Sequence, residues 1–217
     1  MKKRNIILAI IGLLLISGGV VLWQAGKNDS QDINISGHFK ELSLVEDYQI
    51  KETPEGILIE NQKENLKFQT PQGWDTKISE SASGGGEVVL SSPDLEINPN
   101  SPFFLLLDKG AVITSRVEKY LTTNPEGFTN ADSIRQFISS YRKDSTQSEE
   151  SGYKVIEVDS WFALEEIVEG NEKTGRIISV KIPIENKVYF FEITISSEDQ
   201  EKYTEEFNQF LKTISIG

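Results

Sequence analysis

The stretch from Arg176 to Ile195 reads RIISVKIPIENKVYFFEITI. On both sides of Glu185-Asn186, apolar residues alternate with others in the period-two pattern of a strand with one buried face. Two sets of side chains each share a face: Ile178, Val180, Ile182 and Ile184, and then Tyr189, Phe191, Ile193 and Ile195. The sequence therefore predicts a hairpin of strands 176–184 and 187–195. Pro183 cannot donate to a strand ladder, which predicts that the first strand is bulged or at an edge.

Shorter segments with the same period precede this hairpin. Ile57 and Ile59 form one such segment, and Leu66 and Phe68 form a second across a turn rich in Glu and Asn. Further strands are predicted at 74–80, 87–91, 154–158 and 162–168. The run Ser83-Gly84-Gly85-Gly86 favours a hairpin turn between the first two of these.

Two amphipathic helices are predicted. The later one has Ser197 as its cap and Gln200 as the capping-box partner, and its apolar stripe is Tyr203, Phe207, Phe210, Leu211 and Ile214. The earlier one spans 131–141 with Thr129 as its cap, and its stripe is Ile134, Phe137, Ile138 and Tyr141. Because strands dominate and no β-α-β alternation occurs, the predicted class is α+β, an antiparallel β-sheet flanked by helices.

A long uncharged segment lies near the N-terminus. Residues 6–23 read IILAIIGLLLISGGVVLW and follow the cations Lys2, Lys3 and Arg4. As a helix, this segment is about 27 Å long, close to the roughly 30 Å of a bilayer core. We expect one transmembrane helix that contacts the lipid bilayer from Ile6 to Trp23, with a cytoplasmic N-terminus. A cleaved signal peptide, followed by secretion, is the alternative, since Ser17-Gly18-Gly19 resembles a cleavage site.

The predicted organisation has four parts. Residues 1–5 are a cytoplasmic stub, and residues 6–23 are the transmembrane helix or signal anchor. Residues 24–40 are a polar tether rich in Asn, Asp, Ser and Gly. Residues 41–217 are an extracytoplasmic α+β domain. The expected location is therefore the cell membrane, with the C-terminal domain outside.

The charge of the chain excludes some partners. Its 217 residues include 22 basic and 34 acidic side chains, a net charge of -12. Without Lys2, Lys3 and Arg4, 19 basic residues stand against 34 acidic ones, a net charge of -15 for the rest. Such a surface repels phosphate backbones, so no nucleic acid is expected as a partner. The absence of cysteine excludes disulfides, thiol nucleophiles and cysteine-ligated zinc.

One segment resembles a known family. Phe68-Gln69-Thr70-Pro71-Gln72-Gly73-Trp74 resembles the F-x-x-P-x-G-W opening of domains with the PsbP-like fold, named for an extrinsic protein of photosystem II. Residues 88–94, 110–114 and 158–163, and then a closing strand and helix, follow in the order of such domains. The similarity covers about Asn65 to Gly217. It implies an αβα sandwich used for docking onto other proteins. The apolar N-terminal segment departs from the family and argues against a role in photosystem II.

We find no catalytic motif in the sequence and predict no catalytic, cofactor-binding or metal-binding residue. The run Gly84-Gly85-Gly86 lacks the Lys and the helix start that phosphate-binding loops use. Three clusters of acidic residues leave a calcium site or a carboxylate-based hydrolase open as alternatives. They are Glu149-Glu150, Glu165-Glu166-Glu169 and Glu198-Asp199-Glu201. His38 is expected to be a solvated residue of the tether.

Three apolar features are predicted to be core. Trp74 and Trp161 lie in strand-like alternation, which favours burial over the stacking of a sugar ring. Pro102–Leu107 (PFFLLL) is predicted to be a central buried strand rather than an exposed docking patch. The sequence thus predicts a non-enzymatic module that binds a protein or an envelope component. An extracytoplasmic sensor that binds a ligand or calcium is the alternative.

Overall fold

The computed structural model describes residues 39–81, 84–99, 106–120, 152–170, 175–184 and 187–217. In chain order, the strands are β1 (Phe39–Leu42), β2 (Tyr48–Thr53), β3 (Gly56–Asn61), β4 (Leu66–Gln69), β5 (Asp75–Glu80), β6 (Gly86–Ser91), β7 (Glu96–Ile97), β8 (Leu107–Lys109), β9 (Ala111–Tyr120), β10 (Gly152–Val158), β11 (Trp161–Glu169), β12 (Arg176–Ile184), β13 (Lys187–Ile195) and β14 (Ser215–Ile216). Helix α1 (Gln200–Leu211) lies between β13 and β14.

The predicted hairpin is confirmed, and it forms the middle of the main sheet. Strands β12 and β13 pair antiparallel from Arg176↔Ile195 to Ile184↔Lys187. The sheet continues in the order β10-β11-β12-β13-β9-β6-β5, and β1 also pairs with β9. The strands predicted at 74–80, 87–91, 154–158 and 162–168 are confirmed as β5, β6, β10 and β11. Alternate residues of β12 and β13 are buried on the inner face because period two places them there.

The prediction drawn from Pro183 is wrong. Strand β12 lies between β11 and β13, not at an edge of the sheet. The proline is tolerated because the β11–β12 ladder ends at Leu164↔Lys181, two residues before Pro183. Its missing amide hydrogen therefore removes no bond from that ladder.

A second, small sheet covers the inner face of the main sheet. Its order is β14-β4-β3-β2. The predicted pairing of segments 57–59 and 66–68 is confirmed by the β3–β4 ladder, in which Ile59 lies opposite Phe68. Both of these side chains are fully buried, and they belong to one core with residues of β12, β13 and α1.

Three aromatic rings join the two sheets and the helix. Phe68 of β4 meets Phe191 of β13 edge to face, with ring centroids 5.8 Å apart. Phe210 of α1 lies 5.5 Å from Phe68 and 5.9 Å from Phe191. Edge-to-face pairs at this separation add about 0.5–1.5 kcal/mol each beyond the burial of the rings. We call these three residues the aromatic junction.

A buried carboxylate joins the sheets a second time. Glu64, in the turn between β3 and β4, lies 2.8 Å from the Nζ atoms of both Lys119 and Lys187. The Tyr189 hydroxyl donates to the Glu64 carbonyl oxygen at 2.8 Å. Burial would raise the pKa of the Glu64 carboxyl, but hydrogen bonds from the two lysines outweigh it and hold this pKa below its ordinary value.

The prediction of an αβα sandwich flanked by helices is wrong. The described residues form antiparallel sheets with a single α-helix, α1, and the inner face of the main sheet packs against a second sheet as well as α1. Period-two segments indicate which residues share a face but not which sheet a strand joins, which is why the sequence did not predict a second sheet. The predicted helix at 131–141 lies outside the described residues.

The predicted transmembrane helix lies outside the described residues as well. Among the residues that the structure describes, no helix combines the length and the apolar character needed to cross a bilayer. The fold class is therefore corrected to mainly antiparallel β-sheet with one helix in the described part of the chain.

Helix α1 presents the apolar stripe that its sequence predicts except for Ile214, which lies beyond the helix end at Leu211. Tyr203, Phe207, Phe210 and Leu211 are buried. The predicted cap at Ser197 is wrong, because the helix begins at Gln200 with Asp199 in the cap position and no side-chain capping bond. The Asp199 carboxylate instead accepts from the Gly110 amide and the Ser196 hydroxyl, both at 3.4 Å.

Phe191→Ala should lower the free energy of unfolding by about 3–5 kcal/mol, because it empties the space between Phe68 and Phe210. Urea denaturation of the full-length chain measures this change. The control is Val168→Ala, since Val168 is 48% exposed and its truncation should cost about 0.5 kcal/mol or less. A loss below about 1 kcal/mol for Phe191→Ala would contradict the role of the junction.

Candidate functional site

The glycine run forms the predicted hairpin turn between β5 and β6, whose ladder ends at Glu80↔Gly86. Gly86 also allows the segment before β2 to pass close to the backbone of β6. Its amide donates to the Ser43 carbonyl oxygen at 2.6 Å, and a Cβ at Gly86 would lie 2.6 Å from the Leu44 carbonyl oxygen. The glycine therefore allows Leu44, which precedes β2 in the chain, to lie directly against the start of β6.

The outermost strand of the small sheet is β2. Among the described residues it pairs with β3 only, from Tyr48↔Asn61 to Thr53↔Gly56. Its Ile50 lies opposite Ile59 and on the same face, so the buried row from Phe68 through Ile59 ends in Ile50. Ile50 is nevertheless 46% exposed, while Ile59 is fully buried.

Two more exposed apolar side chains precede this strand in the chain. Leu44 and Val45, in the segment that leads into β2, are each 37% exposed. We define the β2 edge as Leu44, Val45 and strand Tyr48–Thr53. No described strand pairs with the outer side of β2, so its backbone hydrogen-bonding groups there are open and lie beside the exposed Ile50, a combination that other chains can pair with.

The cations near the β2 edge are held by carboxylates of the domain itself. Lys51 hydrogen-bonds to Glu60, which also lies 3.4 Å from Lys67. The hydrogen bond from Lys51, with support from Lys67, lowers the pKa of the Glu60 carboxyl. Lys63 lies 3.1 Å from Asp47. The lysines therefore do not present free positive charge at this edge.

Of the carboxylate clusters that the sequence singled out, Glu165-Glu166-Glu169 is paired with cations. Glu198 and Glu201 are exposed and form no ion pair with another described residue. Glu165 lies 3.8 Å from Lys154, Glu166 lies 3.3 Å from Lys181, and Glu169 lies 2.9 Å from Arg176. Within the described ranges, no group of three or more acidic or His residues could hold a metal ion. Glu149-Glu150 and His38 lie outside those ranges.

The two tryptophans differ in burial. Trp74 is core as predicted, and its ring meets Tyr203 edge to face at 5.7 Å. The prediction that Trp161 is core is wrong, since it is 37% exposed. It follows a two-residue turn, Asp159-Ser160, in which both residues have positive φ, so it lies at the tip of the β10–β11 hairpin. Its indole nitrogen donates to the Ile216 carbonyl oxygen at 3.4 Å.

Most of the predicted strand Pro102–Leu107 lies outside the described residues. Leu107 itself is buried and begins the short strand β8. It packs with Val89 and Val112 on the outer face of the main sheet, that is, the face turned away from the small sheet.

A charged cluster on this outer face was missed by the sequence analysis. Arg116 donates to Glu118 at 2.7 Å and to Glu87 at 3.3 Å, and its guanidinium lies 3.9 Å from the centre of the Phe190 ring. The Glu87 side chain is only 1% exposed. Burial raises the pKa of its carboxyl to about 7, although Arg116 acts in the opposite direction. The alternation Thr114, Arg116, Glu118 along β9 was the available sign of a polar outer face.

Glu87 should make stability depend on pH near neutrality. Its pKa is raised from 4.5 to about 7 in the folded chain, so the folded state binds the proton more tightly than the unfolded state. The stabilising contribution is complete below about pH 4.5 and is lost as the pH rises through 7. The free energy of unfolding, measured by urea denaturation, should therefore fall from pH 5 to pH 8, and Glu87→Gln should remove that fall.

Glu80→Gln serves as the control for this measurement, because Glu80 is an exposed residue of the neighbouring strand β5. This variant should keep the pH dependence of the natural chain. If Glu87→Gln keeps it too, the Glu87 carboxyl does not titrate in this range.

Comparison with known proteins adds little to this geometry. No protein-family model matches the chain, and no curated protein matches it. It is similar to a protein from Bacteroides thetaiotaomicron VPI-5482, whose crystal structure was determined at 1.50 Å, with 14% sequence identity and a TM-score of 0.42. The match covers 70% of this chain and 45% of that chain, so this chain spans less than half of that protein's length. A likeness of this degree supports no conclusion about the fold or the function.

Proposed function

We propose that this chain is a non-enzymatic binding module that receives a partner protein at the β2 edge. The observation that carries the proposal is Ile50, which is 46% exposed at the end of a row whose other members, Ile59 and Phe68, are fully buried. An apolar side chain on the core face of a sheet is normally covered. A partner segment lying beside β2 would cover this one.

Two of the means by which proteins usually protect a strand edge, prolines and bulges, are missing from β2, and its charged residues are Lys51 and Glu52. Charged side chains, prolines and bulges are the common protections. Here Lys51 bends back to Glu60 of the neighbouring strand. Pro54 lies in the turn after β2, where it does not interrupt the strand. The β2–β3 register runs without a bulge. These features support pairing with another chain.

The alternative of a calcium-binding sensor has no supporting observation in the described part of the chain, where no group of three or more acidic or His residues could hold a metal ion. The expectation that the partner belongs to the cell envelope rests on the N-terminal sequence and stays a prediction. The proposal that follows for the domain is protein binding through one strand edge.

Site-specific crosslinking tests the proposed function. Since the chain has no cysteine, Ile50→Cys creates a unique thiol that can carry a photoreactive maleimide. We expect the labelled full-length chain, returned to its own cells and irradiated, to crosslink to one defined protein. Mass spectrometry should map the crosslink to one segment of that protein.

The matched control is Val168→Cys, because Val168 is 48% exposed and lies on the outer face of β11. It should give no such product. Equal products from both positions, or none from Ile50→Cys, would exclude the β2 edge as a docking site.

A further inference from the structure

We infer that the segment received at the β2 edge is an extended, basic stretch of the partner, which adds to the small sheet as a strand beside β2. This inference rests on the proposed function and names the chemistry of its partner. Strand addition to an open edge uses backbone hydrogen bonds for affinity, and alternate side chains for specificity. The residues along β2 therefore determine which sequences fit.

The unpaired charge at this edge is negative. Glu52 lies on β2, and Glu46 and Glu55 lie in the turns before and after it. All three are exposed, and none forms an ion pair with another described residue. The nearby lysines are already engaged, Lys51 with Glu60 and Lys63 with Asp47. A cationic segment would therefore be attracted to the edge, and an acidic one would be repelled.

The spacing along β2 specifies the partner further. Ile50 and Glu52 lie two residues apart, so both side chains are on the inner face, opposite Ile59 and Ile57 of β3. A strand added on the other side of β2 would place its own side chains directly beside these two. The best match is an apolar residue beside Ile50 and a Lys or Arg, two positions away, beside Glu52.

The outer face of β2 places no comparable requirement on the sequence of the partner. Its central residue, Lys51, is paired with Glu60, and its neighbours Gln49 and Thr53 are neutral. A second copy of this chain is the less favoured occupant, because each copy carries a net charge of -12. The observations thus favour a basic segment of another protein.

Peptide titration of the full-length chain tests this inference. The probe is a capped seven-residue peptide with Val at its centre, Lys two positions to either side, and Thr elsewhere. Its symmetry satisfies both strand directions. A matched peptide carries Glu in place of both Lys. In NMR titrations, we expect the Lys peptide to shift the amide signals of β2 and to bind about fivefold more tightly than the Glu peptide.

A charge reversal in the protein sharpens the test. Glu52→Lys should reverse the preference, so that the Glu peptide binds more tightly. Glu157→Lys is the matched control, because Glu157 is exposed on β10, the edge strand of the main sheet, and the net charge changes equally. It should leave the preference for the Lys peptide. Equal affinity for both peptides, or no reversal in Glu52→Lys, would overturn the inference of a basic partner.

Backbone pairing is tested with two N-methylated forms of the Lys peptide. Methyl groups on every second amide should abolish binding in one form, whose methylated amides would face β2, and spare it in the other. Equal effects of the two patterns would contradict strand addition.

Two further outcomes are decisive. If neither peptide shifts the amide signals of β2 while the Ile50→Cys crosslink still forms, the inference of an extended basic segment is wrong and the proposed function stands. If sedimentation shows that the chain dimerises and Ile50→Asp abolishes the dimer, the occupant is a second copy.

Discussion

The contact of Phe68 with Phe191 and Phe210 holds the small sheet against the main sheet and the helix. Because this junction lies at β4, the strands nearest to it gain cover from the main sheet and α1. Ile59 of β3 is fully buried, but Ile50 of β2, one strand further out, is not. Tyr48, at the start of β2, still lies in the core, so the exposed part of this strand begins after it.

Two buried glutamates show how the same side chain acquires opposite properties. Glu64 has two lysines, each 2.8 Å away, and its pKa lies below the ordinary value. Glu87 has one arginine, which it shares with Glu118, and its pKa is raised to about 7. The first fastens the turn of a hairpin to the main sheet, and the second is a cost to the folded state at neutral pH. The balance of charged partners, not burial alone, decides whether the pKa of a buried glutamate is raised or lowered.

Much of the strand content followed from the sequence because period two is a local property. The hairpin of β12 and β13, the β5–β6 turn and the buried stripe of α1 were all predicted. The partner of a strand is not local, so β2–β4 were not assigned to a sheet of their own. Trp161 was assigned to the core because its pattern resembled that of Trp74, whereas the tight turn at Asp159-Ser160 places it at a hairpin tip.

The open edge itself was not predictable from alternation. Strand β2 carries one exposed apolar residue, Ile50, among polar ones, a pattern too short to stand out. The exposure of Ile50 is notable only in the folded chain, where Ile59 of β3 and Phe68 of β4 continue the same row of side chains into the core. Hydrogen exchange of the β2 amides in the free full-length chain tests the open edge most directly. We expect the exchange rates to alternate along β2, with the amides that face β3 protected and the intervening ones exchanging rapidly. Uniform protection along Tyr48–Thr53 would show that another part of the chain already occupies this edge, and would contradict the account.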